Sequence, residues 1–285
     1  MSEAAALSSG KSYHDENFPV ASFIIAPRHR APILTFYRFV RTADDVADNP
    51  AASPEHKLRL LEDMRLSLMG LSKASPEGVA LHDILAERGL TTDHAADLLE
   101  AFRRDVTKLR YADWGELMDY CRYSAMPVGR YVLDVHGESR GTWAMNDALC
   151  AALQIINHLQ DCAKDYQELD RVYIPLDMMA AHGTKPEDLA VCRSTRELKA
   201  AIAELAARNA ELLRRSAPFA ARIKDGRLSL EVAVIQRLAE DLNDKLLVRD
   251  PLSEPVHHRK SDQVKLVISA LGRFLADRLG LGSAP

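Results

Sequence analysis

Apolar residues recur every three or four positions from about Ala31 to the C-terminus of this 285-residue chain, and convincing β-alternation is absent. A pattern of that period fits helices packed on helices, so the chain is expected to be all-α, a bundle of about ten helices. Boundary signals agree with the period. Ser53-Pro54 places a cap and a first-turn proline ahead of EHKLRLLEDMRLSLMGL, and Gly70 supplies a stop. Thr91 or Thr92, Asp113 and Asn146 are expected to open further helices, and segments 195–215, 228–248 and 262–280 repeat the spacing. Pro127 falls inside a continuous helical pattern in YSAMPVGRYVLDVHG, where it predicts a kink, either for packing or to bend the helix around a ligand cavity near Tyr120 and Gly129. No Pro/Gly/Ser-rich linker divides the chain. One domain is expected over 13–285, behind a polar, disordered tail at 1–12.

Net charge is −4 and no strongly basic face stands out, which argues against nucleic acid as a partner. RHR at 28–30 and HHRK at 257–260 read as solvated surface. Cys121, Cys150, Cys162 and Cys192 form no CxxC pair and no secretory signal opens the chain, so a reduced, cytoplasmic setting is expected. No run reaches the roughly 20 apolar residues of a spanning helix. The C-terminal helix QVKLVISALGRFLADRLG gathers Val264, Val267, Leu271, Phe274 and Leu275 towards one face. Two assignments stay open for it, core packing and peripheral docking at the inner membrane surface.

Two helical stretches carry something other than core and solvent faces. YRFVRTADDVAD aligns Tyr37, Arg41, Asp44, Asp45 and Asp48 within roughly 100° of arc, and QIINHLQDCAKD aligns Gln154, Asn157, Asp161 and Asp165 within roughly 80°. Phe36, Phe39, Val40, Ala43 and Val46 lie opposite the first stripe, as on a surface helix. Yet solvated faces favour Lys and Glu, whereas Asp and Asn each cost up to about 0.7 kcal/mol relative to alanine in a helix. Like charges on adjacent turns also repel, by roughly 3 kcal/mol at an effective dielectric near 20. Something positive should offset that, and the motif occurs twice.

Carboxylate, carboxamide and water oxygens suit Mg2+, a hard ion that commonly binds jointly with substrate phosphate. Asp44, Asp45, Asp48, Asn157, Asp161 and Asp165 are the candidate ligands. His158 sits at the edge of the second stripe and reads as a structural histidine. Metal held there would neutralise a departing diphosphate, with Arg41 adding fixed positive charge. An apolar cavity would then hold a carbocation, against π-faces such as Phe18, Tyr37 and Tyr120.

At these residues the chain resembles the squalene/phytoene synthase family, from about Asn17 to about Leu247. FYRFVRTADDVAD is similar to the family's first aspartate-rich motif. QIINHLQDCAKDYQELDRVYIP is similar to its second, with the segment reaching Arg171 and Tyr173. The resemblance implies a single-domain helical isoprenoid-synthase fold with a central apolar cavity. It implies that Arg41, Asp44, Asp45 and Asp48 form one magnesium–diphosphate site and Gln154, Asn157, Asp161 and Asp165 the other. Phe18, Tyr37, Tyr120 and Val128 match cavity-lining positions.

Within the family, DENFPVAS, FYRFVRTADD and YCRYSAMPVGRYVLDVHG followed by NHLQDCAKDY are most similar to the hopanoid branch. That branch turns presqualene diphosphate and water into hydroxysqualene and diphosphate without a redox cofactor. The implied substrate is thus presqualene diphosphate, with functional association with other squalene-pathway enzymes. Two alternatives stay open: condensation of prenyl diphosphates to presqualene diphosphate, squalene or phytoene, and a catalytically inert scaffold. The chain departs from the family at Gln160, where a basic residue is common, at Lys164, where an acidic one is, and at Asn17, where serine is. The loss of a cation at Gln160 is expected to weaken condensation of two farnesyl diphosphates while sparing ionisation.

Overall fold

The computed structural model describes residues 3, 4, 7 and 25–278. Most of the polar tail, together with Asn17 and Phe18, lies outside the described residues. The chain divides into two compact units, Met1–Leu109 with Arg122–Glu138, and Arg110–Cys121 with Ser139–Pro285.

The first unit holds α1 (Pro27–Asp48), α2 (Pro54–Leu68), α3 (Pro76–Arg88) and α4 (Asp93–Thr107). The short α5 (Trp114–Ser124) follows, mostly in the second unit, and then α6 (Met126–Val135) returns to the first. Each of α1, α2 and α3 begins with proline, whose missing N–H is no loss in a first turn. Ser53 and Ser75 accept hydrogen bonds from the N–H groups of His56 and Gly78, caps worth about 1 kcal/mol each. Phe36, Phe39, Ala43 and Val46 of α1 are buried against Leu61 and Met64 of α2, Leu81 and Leu85 of α3, Leu98 and Leu99 of α4 and Tyr131 of α6. The Phe36 and Tyr131 rings stack 3.9 Å apart.

Pro32 lies inside α1, where it cannot donate to the carbonyl of Arg28. The Arg88 guanidinium donates to that carbonyl instead, at 3.0 Å, and the Tyr131 hydroxyl donates to the carbonyl of Pro32 at 3.0 Å. At Gly78 a β-carbon would stand 2.7 Å from Cβ of Ser67, so only glycine lets α3 approach α2 so closely.

The second unit is built on α7 (Trp143–Gln160), packed with α10 (Arg196–Ser216) and α12 (Gly226–Leu246). Ala148, Ala151 and Ala152 allow close approach, and a buried amide pair ties the three helices. Asn209 donates to the carbonyl of Ala152 at 3.2 Å and to Oδ1 of Asn243 at 2.9 Å, and Asn243 donates to the carbonyl of Ala206 at 3.0 Å. The short α8 (Cys162–Leu169), α9 (Leu176–Ala181) and α11 (Phe219–Arg222) and the terminal α13 (Lys260–Arg278) complete thirteen α-helices among the described residues. The excess over the ten expected consists of α8, α9 and α11, of eight, six and four residues, too short to show a helical period.

Four local expectations are corrected. Pro127 makes no kink. α5 ends at Ser124, Ala125 takes φ −123° and ψ −48°, and Pro127 lies in the first turn of a new helix. Asn146 does not cap α7, which begins at Trp143; it is buried within the first turn. On α13 the buried residues are Leu266 and Ala270, while Val264, Ile268 and Leu271 are exposed, so the apolar face of the sequence is partly the outer one. The side chain of Leu275 lies outside the described residues. The two basic clusters are not simply solvated. His29 is buried with its ring 4.2 Å from that of His136, and the His258 side chain is 4% exposed, bound to Asp241. No helix among the described residues is long and apolar enough to cross a membrane.

Candidate functional site

The first aspartate row lies on α1. Its inward stripe is apolar at Phe36, Phe39, Ala43 and Val46, and Asp45 is buried beside it. The Arg41 guanidinium bridges the row, reaching Asp44 at 2.8 Å, three residues on, and Asp45 at 2.6 Å, four residues on. That is the positive group which a run of acids on adjacent turns requires. It also means that Arg41 is engaged by its own helix and does not stand ready as a lone cation. Even so, the Asp44 carboxyl is raised to about 7, first by burial and then by the charge of Asp48, with Asp105 and Asp45 adding and Arg41 opposing. A third of the Asp44 side chain reaches solvent, which screens part of that repulsion. Burial and repulsion make this row a place where added positive charge is favourable.

Asp105, on α4, was not singled out by sequence. It is buried, and its charge is felt at Asp44. The legible signal was an aspartate three residues beyond Phe102 and seven beyond Leu98, on the apolar stripe of its own helix.

The second row lies at the end of α7. The helix does not run through it as one continuous stripe. α7 ends at Gln160, Asp161 takes φ −101° and ψ 8°, and α8 begins at Cys162. Two backbone bonds carry the turn across the break, Asp161 N–H to the carbonyl of Asn157 at 3.0 Å and Asp165 N–H to that of Asp161 at 2.8 Å. The Asp161 carboxyl is raised by burial and then by Asp165, with Lys164, His257 and His158 opposing.

α8 ends in a left-handed residue, Asp170 at φ 52°, which aspartate tolerates better than most side chains. The Asp170 N–H bonds the carbonyl of Tyr166 and the Arg171 N–H that of Asp165, so the chain reverses. The reversal returns Tyr173 to the second row. Its ring stacks on His158 with centroids 3.4 Å apart, and Tyr120 and Tyr111 lie 5.4 and 5.6 Å from it. Backbone bonds from Leu176 and Asp177 to the carbonyls of Tyr111 and Ala112 hold these two segments side by side. His158 meets Gln154 at 3.0 Å and lies 3.7 Å from Asp165, so it links two members of the row.

The structure therefore brings Tyr37, Arg41, Asp44, Asp45 and Asp48 onto one helix of the first unit. It gathers Gln154, Asn157, Asp161, Asp165, Tyr120 and Tyr173 in the second, with His158 among them. Arg171 follows the α8 turn and is buried. Val128, on α6, is 40% exposed. Both rows offer oxygen donors, the chemistry of a hard divalent ion such as Mg2+.

A model of the squalene/phytoene synthase family matches residues 12–262. A hydroxysqualene synthase of Zymomonas mobilis is 56% identical over 276 residues, covering 96% of this chain and 93% of its own. One of Rhodopseudomonas palustris is 53% identical, covering 100% and 97%. Among solved structures, a squalene synthase from Alicyclobacillus acidocaldarius superposes with a TM-score of 0.72 at 30% identity, covering 85% of this chain and 91% of that one.

Proposed function

The chain belongs to the squalene/phytoene synthase family, and from that premise we propose that it converts presqualene diphosphate and water into hydroxysqualene and diphosphate. The observation that carries the reading is the pair of aspartate rows, each with a carboxyl raised by burial and by its neighbouring acid. A cation placed beside such acids offsets the repulsion between them.

Asp44, Asp45 and Asp48 in the first row, and Asn157, Asp161 and Asp165 in the second, are the residues that would hold Mg2+, and the ion would supply positive charge to help diphosphate leave. The C–O bond breaks with its electron pair going to the diphosphate, and a cyclopropylcarbinyl cation remains. After rearrangement, the oxygen of water bonds to the allylic cation and its proton passes to solvent, so no reductant is consumed. Arg41 holds Asp44 and Asp45 in register until the substrate arrives. Tyr120 and Tyr173, held by ring packing in the second unit, offer π-faces that stabilise positive charge without capturing it. The exposed apolar residues Val264, Ile268 and Leu271 of α13 suit contact with a lipid surface, from which so greasy a substrate is drawn.

Mass analysis of products from presqualene diphosphate and Mg2+, with and without NADPH, tests the reading. Hydroxysqualene in both mixtures is expected; squalene that depends on NADPH would overturn it.

A further inference from the structure

The second row has a companion that neither its sequence motif nor its own helix supplies. Gln160, the last residue of α7 and the neighbour of Asp161, is 8% exposed. Its amide nitrogen bonds the carbonyl of Val256 and Nδ1 of His257, the latter at 3.2 Å. The segment it grips is fixed on both sides. Val256 is buried, and Nε2 of His258 lies 3.0 Å from Asp241, which itself pairs with Lys245. Of the three consecutive residues, His257 alone is exposed.

The amide nitrogen carries two protons, and a carbonyl oxygen accepts one of them. The other must meet a lone pair, so Nδ1 of His257 is an acceptor and the ring proton sits on Nε2. Gln160 thus selects one tautomer and turns an N–H donor away from itself, in a segment anchored through the residue that precedes Asp161. Oε1 of Gln160 is buried and has no hydrogen-bond partner among the described residues, a position that a water can fill.

We propose that Gln160 is a positioning residue that fixes His257 as an Nε2–H donor to an oxygen of the diphosphate held at the second row. The proposal rests on the diphosphate chemistry above. Titration of His257→Ala, His257→Gln, Gln160→Leu and the His257→Ala/Gln160→Leu double variant with inorganic diphosphate and Mg2+ tests it by calorimetry, alongside kcat and KM for presqualene diphosphate. A hydrogen bond to a charged acceptor sets the expected loss in His257→Ala at about tenfold in diphosphate affinity. Gln160→Leu loses a similar factor, and the double variant loses no more than either single one, because one acts through the other. His257→Gln, whose amide N–H reaches where Nε2–H did, regains most of the affinity. Diphosphate affinity within twofold of wild type in His257→Ala overturns the proposal, as do losses that add in the double variant or persist in His257→Gln. His257 is exposed, so its variants carry the test even where Gln160→Leu fails to fold. Wild type that binds no diphosphate sinks the functional reading as well; wild type that binds it, with variants unaffected, sinks this inference alone.

Discussion

Asp44→Asn should make the metal-free protein more stable while abolishing turnover. Asparagine keeps the shape of a protonated aspartate. In wild type the carboxyl is raised from 3.8 to about 7, chiefly by burial and by Asp48, so the folded state holds the proton more tightly than the unfolded chain does. Stability from that proton is complete below the unfolded value and is lost as pH rises through 7. A shift of that size corresponds to about 4 kcal/mol at most. A third of the side chain meets water, and screening reduces the figure to about 1–2 kcal/mol. For a chain of this length that is a rise of about 4 °C in Tm at pH 8. Scanning calorimetry in EDTA measures it. The gain should narrow as pH falls through 7 and vanish only below the unfolded value of 3.8, where wild type is protonated in both states. Destabilisation by Asp44→Asn that is equal at pH 8 and pH 5 would show that Asp44 is a structural carboxylate and that the electrostatic reasoning is wrong.

Arg41→Lys should lower kcat/KM by roughly 10- to 100-fold, because one ammonium cannot span the two carboxylates that the guanidinium meets at 2.8 and 2.6 Å; near-normal turnover removes Arg41 from the site. Asn209→Ala deletes two buried hydrogen bonds between α7, α10 and α12 and should cost about 2–4 kcal/mol in urea unfolding. A cost below about 0.5 kcal/mol would mean that the amide pair is not what ties the three helices. Val264→Glu with Ile268→Glu, on the exposed side of α13, should abolish flotation with lipid vesicles while leaving Tm unchanged. Equal flotation of variant and wild type rules α13 out as the lipid contact.

What could be read in the sequence were features whose cause is local. Phe36, Phe39, Ala43 and Val46 repeat every three or four residues because one side of α1 is buried, and Ser53-Pro54 marks a helix start because the serine bonds an N–H three residues away. Where two local signals competed, the sequence was ambiguous. Apolar spacing continues through Pro127, yet the chain breaks at Ala125, and Asn146 has the chemistry of a cap but lies inside its helix. On α13 apolar residues lie on both sides, Leu266 and Ala270 buried and Val264, Ile268 and Leu271 exposed, so periodicity alone left its partner open. Both aspartate rows were legible because each lies within a dozen residues. Asp105 and His257 were not, since each gains its meaning from a partner that folding delivers: Asp105 is felt at Asp44 from another helix, and His257 meets Gln160 from 97 residues away. His158 was read as a structural histidine at the edge of the row, but its cover by Tyr173 after the α8 turn was not visible.

The account turns on loss of diphosphate followed by capture of water, and isotopic oxygen reports on both at once. Presqualene diphosphate and Mg2+ in heavy-oxygen water, without NADPH, should give hydroxysqualene carrying the label in its hydroxyl group. Unlabelled alcohol, or only a hydrocarbon product, would contradict it.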